Sequence, residues 1–513
     1  MGCRRSPATL PRGERESARG TPRILNKKVA PKALRLGMSV QLYFTNLDAL
    51  SLPLPSSFDG IAVNIVPGAL DVAERAGLID GMPFILMDDG SYDLHLNRFF
   101  CACPGMGARS PNTWRSYARD ILVWARFLGE RRGGKTVWQA DRHDVLAFHR
   151  ARRLSAAPYR ISASSWNRGI AALDKLYRWA LEEGIMTTSP FSYAVTLHRR
   201  AGTRALLAVT ANRSRERAAR RHDMRFIDLG SYLLFRDVGL RGRLPDGGED
   251  PTWRGRNGER NALFAELLVT TGLRLCESGS LLLAELPRKA DSGMRSLPFD
   301  LPGAVAKGAR PRRIRIPRRV LKLINDYIDF ERAISAGRSE PTVSSPLWLT
   351  PHHEKVVDAT GRRVRLDRLT PGERRRVLIG APGKAQHALL WLTEGGKPVP
   401  SATWEAAFRR ACARCRQFSI DVDVTPHTLR HTFAVNMLSM LIREQIGIVF
   451  DPQDRHGAAY RRILGDPLQK LQQLLGHASV TSTYIYLDSL AEAQELVDAA
   501  ADRWAEDAAG DAQ

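Results

Sequence analysis

Apolar residues recur at helical spacing between residues 110 and 182. The first stretch repeats them every three or four positions, as in a helix that buries one face: Trp114, Tyr117, Ile121, Trp124 and Leu128. Val145, Leu146 and Phe148 mark a second helix. A third follows Ser162, a good N-cap residue, and is marked by Trp166, Ile170, Leu173, Tyr177 and Ala180. The pattern predicts a small helical bundle with aromatic residues in its core.

Helical spacing also predominates after residue 224, with short exceptions. Ile314 and Ile316 alternate with polar residues, which predicts a strand. Asp466 and Pro467 begin an amphipathic helix that Gly476 ends. Upstream, residues 84–96 predict a β-hairpin around an Asp-Gly turn. The predicted fold class is therefore mainly α with a small β-hairpin or sheet (α+β).

Length and charge narrow the function. The chain has 513 residues, of which 43% are hydrophobic, so it has room for two or three domains with buried cores. A formal net charge of +23 indicates a polyanionic partner, most simply nucleic acid. No apolar run approaches the ~18 residues of a membrane span, and no secretory signal is recognisable, so we expect a cytoplasmic protein with no membrane partner.

The most informative motif is Thr-Pro-His-Thr-Leu-Arg-His at residues 425–431. Thr425 and Pro426 suit a helix start, which places His427 and Arg430 in the first turn, where free backbone N–H groups attract phosphate. Arg430 supplies a permanent charge, and His427 supplies a proton carrier near neutrality. An ordinary surface helix start is the alternative interpretation of so short a motif.

The segment Thr-Gly-Leu-Arg-Leu-Cys-Glu at residues 271–277 supplies a second candidate arginine for the phosphate site. Arg274 follows a glycine that ends or interrupts a helix, and Glu277 is placed to orient its guanidinium group. An exposed ion pair at i and i+3 is the alternative. Further along, His477 emerges at a helix C-terminus, an end that favours the protonated imidazole.

Taken in order, Thr-Gly-Leu-Arg-x-x-Glu, His-x-Leu-Arg-His, Leu-Leu-Gly-His and a tyrosine nine residues later resemble the tyrosine recombinase (phage integrase) family. The resemblance extends from about Ser110 to Asp488. It implies a site-specific DNA recombinase of integrase or transposase type, which cleaves and rejoins DNA through a 3′-phosphotyrosyl intermediate without metal or cofactor. It also implies double-stranded DNA as partner, a homotetramer on paired recombination sites, and a location at the bacterial nucleoid.

The resemblance assigns the family's catalytic positions to this chain: Arg274, Lys307, His427, Arg430, His477 and the nucleophile Tyr486, with Glu277 in support. Lys307 matches the lysine of a hairpin turn that protonates the leaving 5′-oxygen, and Lys289 is the alternative. Tyr484 competes with Tyr486, but family spacing selects Tyr486 and leaves Tyr484 to packing.

Five segments are predicted: a basic, disordered tail over 1–37, an extension without an assigned role over 38–105, a helical core-binding (SAM-like) domain over 106–195, a basic linker over 196–223, and a catalytic domain with an acidic C-terminal helix over 224–513. Arginines of the core-binding domain are candidates for phosphate contact, with a solvated basic face as the alternative: Arg119, Arg150, Arg152, Arg153 and Arg168. Residues 351–389 and 442–465 are insertions relative to compact family members, polar enough to be surface loops.

Two other functions share parts of this pattern. A type IB topoisomerase-like enzyme would use the same groups but relax supercoils without paired sites. A catalytically inactive DNA-binding regulator would lack a catalytic position, and here each position is filled. A zinc site from Cys101, Cys103, Cys412 and Cys415 is the alternative to reduced thiols, which we expect because zinc-binding cysteines normally lie on turns rather than within a helix.

Overall fold

The computed structural model describes residues 40–46, 57–58, 61–62, 75, 77–86, 91–108, 110–199, 206–216, 225–287, 294–343, 345–381, 383–449, 466–479, 481–487 and 490. The chain divides into two compact units, residues 1–219 and 220–513. Both are mainly helical with small sheets, so the predicted fold class is confirmed. None of the described helices combines the length and apolar character that a membrane crossing requires.

The described residues of the first unit include four α-helices: Leu94–Ala102 (α1), Pro111–Arg131 (α2), Arg142–Arg153 (α3) and Ala163–Glu182 (α4). The predicted stripe forms its core, and Trp114, Ile121, Trp124 and Leu128 are all buried. The buried Trp124 indole donates a hydrogen bond to Tyr177 Oη at 2.7 Å. Ser162 caps α4 by accepting from the backbone N–H of Ser165, as predicted.

The part of this unit that the structure describes also has six short strands: Gln41–Phe44 (β1), Ser57–Phe58 (β2), Ile61–Ala62 (β3), Pro83–Leu86 (β4), Tyr193–Arg199 (β5) and Leu206–Asn212 (β6). They pair antiparallel as β1–β4, β2–β3 and β5–β6.

The hairpin predicted over residues 84–96 is wrong in its pairing. Strand β4 pairs with the distant β1, a single bridge joins Leu86 to Tyr92, and the chain from Leu94 is helical. Asp93 caps that helix by accepting from the N–H of Leu96, a local bond that competes with strand pairing. The Asp89-Gly90 turn lies outside the described residues.

The segment predicted as a basic linker, 196–223, is also more ordered than expected. Strands β5 and β6 form a hairpin over seven paired positions, from Tyr193 opposite Asn212 to Arg199 opposite Leu206. The short apolar run in Leu206–Asn212 is compatible with a strand, but it shows no alternation and arginines surround it, so the sequence analysis did not identify it. The division between the two units falls after residue 219.

The second unit begins with Leu229–Leu234 (α5), which continues as a π-helix over Phe235–Leu240. Its other helices are Gly258–Thr271 (α6), Leu275–Gly279 (α7), Arg318–Tyr327 (α8), Ala333–Ala336 (α9), Pro371–Arg374 (α10), Ser401–Gln417 (α11), Pro426–Val449 (α12), Pro467–Leu475 (α13) and Thr481–Tyr484 (α14). Helix α6 is buried on nearly every side, and its Phe264 stacks on Trp404 with ring centroids 3.7 Å apart.

An antiparallel hairpin of Ser296–Leu301 (β7) and Arg312–Pro317 (β8) stands beside these helices. Ile314 and Ile316 face the core from β8, as their alternation predicted. The connection between the strands includes a short 3₁₀ turn, Lys307–Ala309, so Lys307 occupies the predicted hairpin loop.

Residues 345–389 form a five-stranded sheet rather than the predicted surface loop. Its strands are Leu347–Leu349 (β9), Lys355–Val357 (β10), Arg363–Arg365 (β11), Val377–Ile379 (β12) and Gln386–His387 (β13), in the order β11-β10-β9-β12-β13. The expectation failed because each strand has only two or three residues, too few to show a period. The sheet nevertheless has a core of its own: Leu282, Leu347, Val356, Leu366, Leu369, Val377, Ala388 and Leu389.

Several predicted elements lie wholly or partly outside the described residues: the basic tail, the insertion beyond Val449 and the acidic C-terminal helix.

Candidate active site

The N-terminus of α12 is built as its sequence predicts. Thr425 accepts a hydrogen bond from the N–H of Thr428 at 3.1 Å, and Pro426 is the first helical residue. The first turn places His427 at the surface and Arg430 in the interior, where Arg430 is 2% exposed.

Two helix C-termini hold Arg430. One guanidinium nitrogen donates to the carbonyl of Gly272 after α6, and the other donates to the carbonyl of Leu475, the last residue of α13, at 2.6 Å. Such carbonyls lack intrahelical partners and carry the negative end of the helix dipole, so they suit a buried cation. Three segments distant in sequence therefore meet at one side chain.

A single buried carboxylate organises two further arginines. Glu277, whose side chain is 1% exposed, accepts from Arg274 Nη1 at 2.9 Å and from both terminal nitrogens of Arg312, at 3.0 and 2.6 Å. Burial acts to raise the pKa of Glu277, but Arg312 and Arg274 hold it at about 2. Together with Arg430, which feels the charge of Glu277 without contacting it, three guanidinium groups share one carboxylate, and this leaves an excess of positive charge suited to a phosphate.

Arg274 is the most open of these arginines. Its side chain is 23% exposed, against 5% for Arg312. Arg312 is further fixed by donating from Nε to the carbonyl of Leu474 at 2.9 Å. We did not select Arg312 from the sequence, although it ends the Lys-Gly-x-basic-x-Arg pattern around Lys307, because many arginines surround it.

Two glycines permit this approach of helix ends. Gly272 and Gly476 both adopt left-handed conformations, with φ of 65° and 63°. A Cβ atom on Gly272 would lie 2.4 Å from a ring carbon of Phe433, and one on Gly476 would lie 2.8 Å from Arg312 Cδ. The glycines of the Thr-Gly-Leu-Arg and Leu-Gly-His motifs are thus needed for both turn and packing.

Tyr486 lies within this cluster and Tyr484 does not. Tyr486 is 1% exposed, and its hydroxyl is 3.1 Å from His431 Nδ1. Burial raises the pKa of Tyr486, while the charges of Arg430 and Arg274 act to lower it. Tyr484 is 51% exposed, so the expectation that it serves packing is wrong. Helix α14 ends at Tyr484, and the following turn directs the two rings apart.

Two imidazoles, those of His431 and His477, lie beside the Tyr486 ring, and a third, that of His427, packs against His431. His431 meets His427 edge-on at 4.2 Å between centroids, and His477 stacks beside Tyr486 at 6.1 Å. His477 Nδ1 lies 3.0 Å from Oγ1 of the buried Thr483. His431 and Thr483 are site residues that the sequence analysis did not assign. His431 had a signal, because it ends the His-x-Leu-Arg-His motif.

These imidazoles are held in the neutral form. Reduced hydration and the charges of Arg430, Arg274 and Lys307 lower the pKa of His427. Burial and nearby positive groups lower the pKa of His431 and of His477 to about 4. The expectation that a helix C-terminus favours protonated His477 is therefore wrong, because burial and the charges of the arginines outweigh the dipole.

Lys307 is exposed on the β7–β8 hairpin, and its charge reaches His427. The structure thus brings the sequence-predicted residues of this unit to one place. Lys289, the alternative lysine, lies outside the described residues. Within the described part of the chain, no group of three or more His, Cys, Asp or Glu residues is arranged to hold a metal ion.

The arginines proposed to contact DNA from the first unit differ in their partners. Arg168 pairs with Asp120 at 3.0 Å, and Arg153 pairs with Glu216 at 2.7 Å. Arg119 and Arg150 are exposed, and Arg152 is half-buried. Paired arginines keep their orientation, whereas unpaired ones are free to follow a phosphate.

Comparison with known proteins agrees with this geometry. Residues 96–184 match the model of the phage integrase N-terminal SAM-like domain, and residues 252–446 match the phage integrase family model. The chain belongs to the phage integrase family. The second match ends before His477 and Tyr486, so the geometry, rather than that match, is what links these two residues to the arginines.

Several relatives of this chain have low sequence identity to it, but they align with most of its length. It is similar to tyrosine recombinase XerC of Pelobacter propionicus, with 23% identity over 75% of this chain and 88% of the relative. It is also similar to XerD of Mycobacterium leprae, with 24% identity over 73% and 86%. Among solved structures, the Tn1549 transposon integrase bound to transposon right-end DNA matches with 12% identity over 76% of this chain and 94% of that one, at a TM-score of 0.44.

Proposed function

We propose that this chain is a site-specific recombinase of integrase or transposase type, which cleaves and rejoins duplex DNA with Tyr486 as nucleophile. The observation that carries the proposal is the burial of Tyr486 beside the charges of Arg274 and Arg430 and the neutral imidazoles of His431 and His477. This is a phosphate site with an oxygen nucleophile inside it.

In the proposed reaction, Tyr486 Oη forms a bond to phosphorus while the bond from phosphorus to the 5′-oxygen breaks. Arg274 and Arg430 stabilise the charge on the non-bridging oxygens, because their guanidinium groups are held in place before the phosphate arrives. Arg312 contributes by fixing Glu277, which orients Arg274. The phosphotyrosyl link retains the bond energy, so a 5′-hydroxyl of the partner duplex reverses the step without a cofactor.

Protons move at two ends of the site. Neutral His431 accepts the hydrogen bond of the Tyr486 phenol, and His427 lies against His431 to carry the proton onward. Lys307 donates a proton to the leaving 5′-oxygen, and His477 donates a hydrogen bond to a non-bridging oxygen. Thr483 orients His477 through its Nδ1.

The assembly proposed is a homotetramer on two paired sites, with the arginines of the first unit contacting phosphates of the same duplex. Double-stranded DNA is the partner that this chemistry requires. The protein is proposed to work at the bacterial nucleoid.

Trapping of the covalent intermediate tests this function. Full-length protein is incubated with a pool of nicked duplexes of randomised sequence in EDTA, where loss of the short fragment after cleavage prevents rejoining. We expect a protein–DNA adduct on a denaturing gel that maps to Tyr486, and none with Tyr486→Phe, since only the nucleophilic oxygen is removed.

Tyr484→Phe is the matched control, because it removes the same atom from an exposed ring and should still form the adduct. An adduct that maps to Tyr484, or that survives in Tyr486→Phe, contradicts the assignment of the nucleophile. Relaxation of supercoiled plasmid without joining of two sites would favour a topoisomerase instead.

A further inference from the structure

The inserted sheet carries a row of cations at its edge. Arg363 and Arg365 lie two residues apart on the edge strand β11, so their side chains share one face. Lys355 of β10 lies directly opposite Arg365. All three residues are exposed, while the intervening Val364 packs on the sheet core. We call Lys355, Arg363 and Arg365 the basic rim.

In the free protein, repulsion between the charges of the basic rim destabilises the edge of the sheet. Like charges directly opposite each other on neighbouring strands repel and destabilise the pair. Asp367 offsets part of this repulsion by accepting from Arg365 at 3.1 Å, and Glu354 lies close enough to Arg365 to interact with it. Within the described part of the chain, neither Lys355 nor Arg363 forms an ion pair.

The surface around the basic rim is rich in basic residues and poor in exposed apolar ones. Residues 345–389 contain nine Lys or Arg and four Asp or Glu, a difference of five positive charges. No large hydrophobic residue described between 345 and 389 is exposed. A protein partner normally needs aromatic or aliphatic anchors at the centre of an interface, whereas a polyanion needs cations alone.

The sheet is attached rigidly to the segment that follows Arg274 and Glu277. The buried Arg374 donates to the carboxylate of Glu285 at 2.6 and 2.7 Å and to the carbonyl of Ser280 at 3.0 Å. Backbone bonds join Leu283 to Ala388 and Leu390 to Leu281, each at 2.9 Å. These bonds join the sheet to the segment that follows helix α7, so a ligand bound to the sheet is fixed relative to that helix.

We propose that the basic rim binds the phosphate backbone of duplex DNA, outside the phosphate that the active site cleaves. The inference rests on the proposed function, because it requires DNA as the substrate. Rows of cations along a strand suit duplex DNA, which carries one charge per ~1.7 Å of helix axis. The proposed contact is independent of base sequence, since phosphate groups are the same in every sequence.

The test compares two charge-matched triple variants of the full-length protein on a non-specific duplex. The first variant is Lys355→Gln, Arg363→Gln and Arg365→Gln. The control removes three exposed arginines from another surface of the same unit: Arg254→Gln, Arg256→Gln and Arg338→Gln. Arg256 and Arg338 both pair with Glu394, at 3.1 and 2.9 Å, and Arg254 is an exposed residue close to Arg256 in sequence, so the control removes an equal charge.

Log affinity falls linearly with log salt by ~0.9 for each phosphate neutralised. We expect the rim variant to show a slope shallower by about two to three than that of the wild type, and about ten-fold or weaker binding at low salt. The control should keep nearly the wild-type slope. Equal slopes in the two variants overturn the proposal.

The rim variant could instead keep the wild-type salt slope and change its molecular mass, or precipitate, in the absence of DNA. That result overturns the proposal and indicates that the basic rim contacts protein or protects the sheet edge from pairing. Failure of the proposed function is distinguishable, because the wild type would then form no covalent adduct. A wild type that forms the adduct, with a rim variant of wild-type slope, refutes the rim alone.

Discussion

Arginines serve in two contrasting settings in the second unit. In the active site, the side chains of Arg312 and Glu277 are 5% and 1% exposed, and helix-end carbonyls complete the donors of Arg430. On the basic rim, the side chain of Arg365 is 69% exposed and forms an ion pair with Asp367. The first arrangement fixes each guanidinium group in direction, and the second leaves its cations free to move in water.

The difference indicates different tasks. A fixed cation costs no reorganisation when charge develops on a phosphate, so it stabilises a transition state. A solvated cation gains little from a single ion pair but releases counterions when it meets DNA. We therefore expect changes in the site to alter cleavage or stability, and changes on the rim to alter affinity and its salt dependence.

The largest difference between the two settings should appear in the free energy of unfolding, when one carboxylate in each is changed to its amide. Glu277→Gln leaves Arg312 buried without its carboxylate, and breaking a buried pair costs about 3–5 kcal/mol. Asp367→Asn breaks the exposed pair with Arg365, which is worth about 0–1 kcal/mol. Urea unfolding measures both free energies, and similar losses in the two variants would remove the distinction.

A second contrast separates cleavage from binding. Arg274→Ala should lower the single-turnover cleavage rate by about 10²–10³-fold, because one fixed donor to the transition state is lost. Its affinity for duplex should change little. The rim variant should do the reverse, with weaker binding and a wild-type cleavage rate at saturating DNA. The two quantities are measured by trapping of the covalent adduct and by fluorescence anisotropy.

Part of the pH dependence of stability should come from the active site. His431 and His477 have pKa values of about 4 in the folded protein, against about 6.5 in an unfolded chain. Between these values the unfolded chain binds more protons, so stability falls as pH is lowered from about 6.5 to about 4, by on the order of 1–3 kcal/mol.

Denaturation midpoints at pH 7 and pH 5 measure this loss. His477→Gln should flatten the dependence, and the rim variant should keep it. Identical pH dependence in His477→Gln and the wild type would show that other groups carry the effect.

The smallest expected effect concerns the hydrogen bond between His431 and Tyr486. His431→Phe should slow cleavage about ten-fold, since one hydrogen bond to the nucleophile contributes on the order of 1 kcal/mol. A substrate with sulfur in place of the leaving 5′-oxygen needs no proton from Lys307. It should therefore rescue Lys307→Ala but not His431→Phe, and rescue of both variants would place His431 on the leaving-group side.

Local patterns in the sequence were sufficient for the helices and their ends. Ser162, Thr425 and Asp466 were recognisable as caps because capping depends on residues within one turn. The helical stripe around Trp124 and the strand around Ile314 followed from period alone. Ordered motifs also identified Arg274, Arg430, His477 and Tyr486 as candidates, since each motif is short and continuous.

Only the tertiary structure decided how these residues act together. Arg312 enters the site because Glu277 and the end of α13 happen to meet it, and His431 does so because Tyr486 folds back onto α12. Strand pairing between β4 and β1, and the sheet at 345–389, join segments too short or too distant for periodicity to reveal. The neutral state of His477 could not be predicted from the sequence either, because its pKa is lowered by burial and by arginines that lie near it only in three dimensions.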